Sequence, residues 1–82
     1  MPDEADGKRP DQTLDLRGLK CPLPAEHTRK ALERAHAGDI LIVECTDPMS
    51  QIDIPNLVNR TGNVLEATEC RNAVFLFRIG KR

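Results

Sequence analysis

The run GLKCPLP, residues 18–24, sets two prolines one residue apart and leaves the backbone few choices. Proline has no amide hydrogen, so a helix accepts it in the first turn and is broken by it further in. The stretch AEHTRKALERAHA, residues 25–37, then continues without a breaker and is rich in helix formers. Pro22 and Pro24 therefore read as the first and third residues of a helix, with Cys21 as its N-cap. Upstream, TLDLR at 13–17 alternates apolar and polar residues, the period of a half-buried strand, and Gly18 ends it. The chain is committed to strand, turn and helix around one thiol.

The rest continues in the same alternation. Thr28, Ala31, Leu32 and Ala35 fall on one helix face, with Arg29, Lys30, Glu33 and Arg34 mostly opposite, and Gly38 is the expected stop. The β-branched run ILIV, 40–43, reads as a strand that is central or covered on both faces. In DPMSQIDIPNLVNRTG, residues 47–62, the stripe Ile54, Leu57, Val58 and Thr61 predicts a second helix stopped by Gly62. Pro55 leaves its start open. Either Asp47 caps a short turn and the helix restarts at Pro55, or Ser50 and Asp53 form a capping pair and Pro55 bends the first turns. Residues 63–70 read as a strand with Val64 inward and Leu65 as the second candidate. Arg71-Asn72 is a tight connection, and residues 73–79 form the last strand. The order βαβαββ, with one apolar stripe per helix, predicts an α+β two-layer sandwich. Its four-stranded mixed sheet carries both helices on one face and ends in an antiparallel hairpin.

The chain has 82 residues, enough for one small domain. Its first twelve residues, MPDEADGKRPDQ, lack Ile, Leu, Val and aromatics and predict a flexible tail, with the domain spanning 13–82. With no Trp or Tyr, the core falls to Leu, Ile, Val and two Phe. Twelve Lys plus Arg balance 13 Asp plus Glu, which gives no general pull toward nucleic acid or anionic lipid. No apolar run approaches the ~20 residues of a membrane span, and MPDEADG lacks the segments of a secretory signal. A cytoplasmic location is the default expectation. Three cysteines, Cys21, Cys45 and Cys70, contain no Cys-x-x-Cys pair, which favours neither a disulfide framework nor a zinc site. No metal and no cofactor is expected.

The functional expectation centres on Cys21. As an N-cap it would sit at the positive end of the helix dipole near the amides of Leu23 and Ala25, with Lys20 and Arg17 close by. Each of these favours thiolate, the nucleophilic form. Pro24 occupies the position where a dithiol enzyme has its resolving cysteine, so a group acquired by Cys21 stays until another protein removes it. That pattern suits a carrier. Cys45 and Cys70, at strand ends without such features, read as packing residues.

GLKCPLP followed by HTRKAL, then GD before an apolar strand, then TDP and DIP, resembles the TusA/SirA-like family of sulfur-carrier proteins across residues 13–79. The resemblance implies a βαβαββ sandwich with one acceptor cysteine, at Cys21. Such proteins take sulfane sulfur as a persulfide from a cysteine desulfurase or rhodanese-type donor and hand it to an acceptor protein. They serve tRNA thiolation, molybdenum-cofactor maturation or sulfur oxidation, as sulfurtransferase-type carriers rather than stand-alone turnover enzymes. The family pattern also places Arg29 and Asp47 near the thiol or the partner surface, supporting Cys21 together with Pro22 and Pro24. The residues alone give Arg29 a rival reading as a solvated helix charge and Asp47 one as a helix cap. Asp53 and Pro55 read as structural. Two departures stand out: Glu26 brings a carboxylate toward the thiol, and Cys45 precedes the Asp-Pro turn.

Two further readings compete with the carrier. One is a non-catalytic RNA- or protein-binding module using Arg29, Lys30 and Arg34, which lacks an aromatic stacking platform. The other is a redox switch in which Cys21 pairs with Cys45.

Overall fold

A computed structural model describes residues 12–82. Residues 1–11 of the expected tail lie outside the described residues. Its last member, Gln12, opens the first strand instead and pairs with Leu41.

The elements are β1 (Gln12–Leu16), α1 (Leu23–Arg34), β2 (Ile40–Cys45), α2 (Ser50–Arg60), β3 (Val64–Arg71) and β4 (Val74–Gly80). They build one four-stranded sheet in the order β1-β2-β4-β3. β1 and β2 are parallel, whereas β4 runs antiparallel to both β2 and β3, so the sheet is mixed as expected. Both helices cover one face. Leu16, Leu41, Val43, Phe77 and Ile79 from the sheet pack with Leu32 of α1 and with Ile54 and Val58 of α2. Thr28 is buried on the stripe of α1, where its hydroxyl donates to the Pro24 carbonyl at 2.7 Å.

β2 is central rather than covered on both faces. Leu41, Val43 and Cys45 point inward and are buried, while Ile40, Ile42 and Glu44 on the other face are only partly so. In β3 the inward residue is Leu65, which pairs with the fully buried Ile79, and Val64 is 37% exposed. The expectation of Val64 inward is corrected by this register. A bulge between Leu65 and Ala67 then shifts the pairing. The hairpin turns on Asn72 and Ala73, both at positive φ, the pattern of a two-residue type I′ connection.

The helix ends correct the sequence reading in one case and bear it out in the other. α1 stops at Arg34, with Ala35 extended and its amide bonded to Leu32. Gly38 belongs to the following turn, where Asp39 donates to His36. At the end of α2, Gly62 does serve as the stop, with φ +78°. Its amide reaches Asn59 and that of Asn63 reaches Val58, which together make a Schellman closure. α2 itself is continuous through Pro55, so neither expected start holds. The helix is launched from a tight turn, with Gln51 bonded to Pro48 and Ile52 to Met49. The Ser50 hydroxyl donates back to the Asp47 carbonyl and so does not pair with Asp53. Pro55 forgoes only the bond to Gln51, an exposed residue.

Candidate functional site

The loops after β1 and β2 leave the sheet at the same end because those strands run parallel, with Leu16 beside Cys45. The first loop turns at Gly18, whose φ of +85° lets Leu19 bond back to Leu16. Gly18 also donates its amide to Thr46 Oγ1 at 2.8 Å. One step on, the Cys21 amide donates to Asp47 Oδ2 at 2.6 Å, and the other oxygen of that carboxylate takes the Met49 amide at 3.2 Å. Asp47 thus ties the cysteine loop to the start of α2 and acts through the backbone of Cys21.

Cys21 is exposed, and its thiol donates to Asp53 Oδ2 at 3.1 Å. Asp53 reaches it from the first turn of α2, where its own amide is bonded to the Met49 carbonyl at 2.9 Å. An open groove of about 530 Å³ leads from Cys21 and Pro22 past Ala25 and Asp53 to Asn56, Asn59 and Arg60.

The expected electrostatics are reversed. The thiol is pushed above its ordinary range, first by the hydrogen bond to the Asp53 carboxylate, then by desolvation and by the charges of Asp53 and Asp47. A carboxylate in contact with sulfur penalises thiolate, so the resting group is the thiol. The local backbone explains why the helix does not compensate. Pro22, not Cys21, is the N-cap, after a cis Cys21–Pro22 peptide, so Leu23 and Pro24 take the first two helical positions. The Leu23 amide is already used by the Lys20 carbonyl at 2.9 Å. Arg17 contributes nothing to the thiol either: it forks onto Asp15 at 2.8 and 2.9 Å. That pairing holds the Asp15 carboxyl down at about 2.

The structure brings Pro22, Asp47 and Cys21 together. Pro24, the second residue of α1, is buried. Arg29 is on the exposed side of α1 in an ion pair with Glu33 at 2.7 Å and lines no part of the groove. The residue that sequence reasoning missed is Asp53. The departure Glu26 had suggested a carboxylate near the thiol, and it is Asp53 that meets the sulfur. Thirty-two positions separate the partners, and only the parallel arrangement of β1 and β2 joins them.

The other cysteines divide sharply. Cys45 is fully buried in the core, and burial pushes its thiol up despite a hydrogen bond with Ser50. A thiol with no exposed surface is a poor partner for Cys21 in a switch. Cys70 is exposed on β3, in a separate hollow with Gln51, Pro55 and Phe75 on the far side of α2. Among the described residues, no helix is long and apolar enough to cross a membrane.

Comparison with known proteins gives a consistent picture. The family described as Sulfurtransferase TusA matches residues 12–81. The sulfur carrier protein TusA of Allochromatium vinosum is 39% identical over 71 residues, covering 87% of this chain and 93% of the relative. Among solved structures, the SirA-like protein from Desulfitobacterium hafniense superposes with a TM-score of 0.73 at 29% identity, covering 83% of this chain and 93% of that one.

Proposed function

The chain belongs to the TusA sulfurtransferase family, and from that premise we propose that it is a sulfur carrier loaded on Cys21. A donor protein of the cysteine desulfurase or rhodanese type presents a persulfide, and Cys21 takes its outer sulfur. A downstream protein then collects that sulfur in a relay of the kind that feeds tRNA thiolation, molybdenum-cofactor maturation or sulfur oxidation. The observation that carries the reading is the exposure of Cys21 just before α1, in a loop fastened by Asp47, while Cys45 is fully buried and Cys70 lines a separate hollow. Pro24, in the first turn of α1, keeps the resolving position empty of sulfur. The protein then acts as a carrier between enzymes, not as a turnover enzyme. The reducing cytoplasm, where its three free thiols persist, is the compartment that suits it.

Incubation with a persulfide-bearing desulfurase or with inorganic polysulfide, followed by alkylation and peptide mass mapping, is expected to place one added sulfur on the Cys21 peptide. Loading that survives Cys21→Ala removes this function.

A further inference from the structure

We propose that Asp53 makes Cys21 selective for partners whose reacting sulfur is flanked by positive charge. The inference rests on the reading of Cys21 as the sulfur-bearing residue. The Asp53 carboxylate touches Sγ at 3.1 Å, and a second carboxylate, Asp47, holds the Cys21 amide at 2.6 Å. Among the described residues, no ion pair answers these two carboxylates. Arg17 is taken by Asp15 and Arg29 by Glu33. Arg60 stands at the far end of the groove, about two turns along α2 from Asp53. Lys20 precedes the thiol in the chain, and Glu26 on the first turn of α1 adds a further negative charge.

A carboxylate against sulfur acts on every charge in the exchange. In loading, the bond between Cys21 Sγ and the donor's outer sulfur forms while the donor's own S–S bond breaks. The electron pair goes to the donor's inner sulfur, which leaves as thiolate and is neutralised by the proton Cys21 gave up. One persulfide and one thiol become one thiol and one persulfide, so no oxidant or reductant is consumed. The attacking Cys21 thiolate, the departing donor thiolate and the new Cys21 persulfide once it ionises all carry negative charge, which develops at the sulfur that Asp53 touches. A Lys or Arg of the partner placed against Asp53 relieves all three together, whereas a neutral or acidic surface relieves none. The fitting partner is a protein whose cysteine persulfide sits within a basic rim.

The test uses the full chain in a Cys70→Ser background, which leaves Cys21 as the exposed thiol, and two small disulfides of opposite charge. These are cystamine, a dication, and dithiodiglycolate, a dianion. Rates of mixed-disulfide formation are read by intact mass at low ionic strength. The cystamine-to-dithiodiglycolate rate ratio should exceed that of the uncharged thiol N-acetylcysteinamide, fall about fivefold in Asp53→Asn, and return in Asp53→Glu. It should also collapse in the chain with Asp53 intact as salt rises to about 1 M, a readout that needs no variant to fold. The pH profile of Cys21 alkylation by iodoacetamide should shift downward in Asp53→Asn, which a purely structural role would not produce. A ratio equal to that of N-acetylcysteinamide, or one unmoved by both Asp53→Asn and salt, overturns the proposal. Polysulfide loading of the same proteins separates the two claims. A Cys21 that cannot hold sulfur removes the carrier reading and with it this inference, whereas normal loading with a charge-blind ratio removes the inference alone.

Discussion

Asp47→Ala is the most informative single change, because one carboxylate holds two segments through backbone amides. Its oxygens accept from Cys21 at 2.6 Å and from Met49 at 3.2 Å, and the substitution leaves both donors to water. At about 1 kcal/mol net per hydrogen bond, the loss is about 2 kcal/mol. For a domain of this size each kcal/mol moves the melting temperature by about 4–8 °C, so a fall of roughly 8–16 °C is expected. Thermal unfolding followed by circular dichroism at neutral pH measures it. Asp47→Asn keeps one acceptor oxygen and should fall between the two. The same change removes a negative charge that disfavours the Cys21 thiolate, so alkylation of Cys21 by iodoacetamide should become faster at neutral pH. Lower stability with a more reactive thiol is the signature. A melting temperature within a degree of the parent, or a slower thiol, would refute the assignment of Asp47 as the clasp of the site.

Other expectations follow from single features. Gly62→Ala forces a side chain into φ +78° at the end of α2 and should cost about 1–2 kcal/mol in denaturant unfolding. Asp15, held by Arg17 at a pKa of about 2 against an ordinary 3.8, should titrate there by carboxyl-resolved NMR. Its folded value is depressed, so any stability it lends is present above the ordinary value and vanishes as pH falls through about 2. Asp15→Asn should abolish that acid-range component.

What the sequence disclosed and what it concealed differ by the range of the interactions involved. The stripe Ile54, Leu57 and Val58 is set by one helix's own geometry, and all three are buried where the period puts them. Leu32 and Thr28 behave alike on α1. The CPLP run announced a helix start and an exposed thiol for the same local reason. The site's electrostatics were concealed because they are made across the fold. Nothing in DIP next to a predicted helix start reveals that Asp53 faces a cysteine 32 positions earlier. The inversion of Val64 and Leu65 has a similar origin: the register opposite β4, not the composition of β3, decides which side chain meets Ile79. Even Pro22 shows the limit, since a shift of one position in the cap redirects the Leu23 amide from the sulfur to Lys20.

The contact between Cys21 and Asp53 also makes the thiol an internal reporter of folding. It closes only when both strand–helix units have docked, since one partner follows β1 and the other lies on α2. In a nascent or unfolded chain the thiol has no such neighbour and reacts as an ordinary cysteine. Sulfur-reactive metabolites therefore find their easiest target before the fold is complete, and a brief labelling pulse during refolding would time the docking of the two units without an added probe.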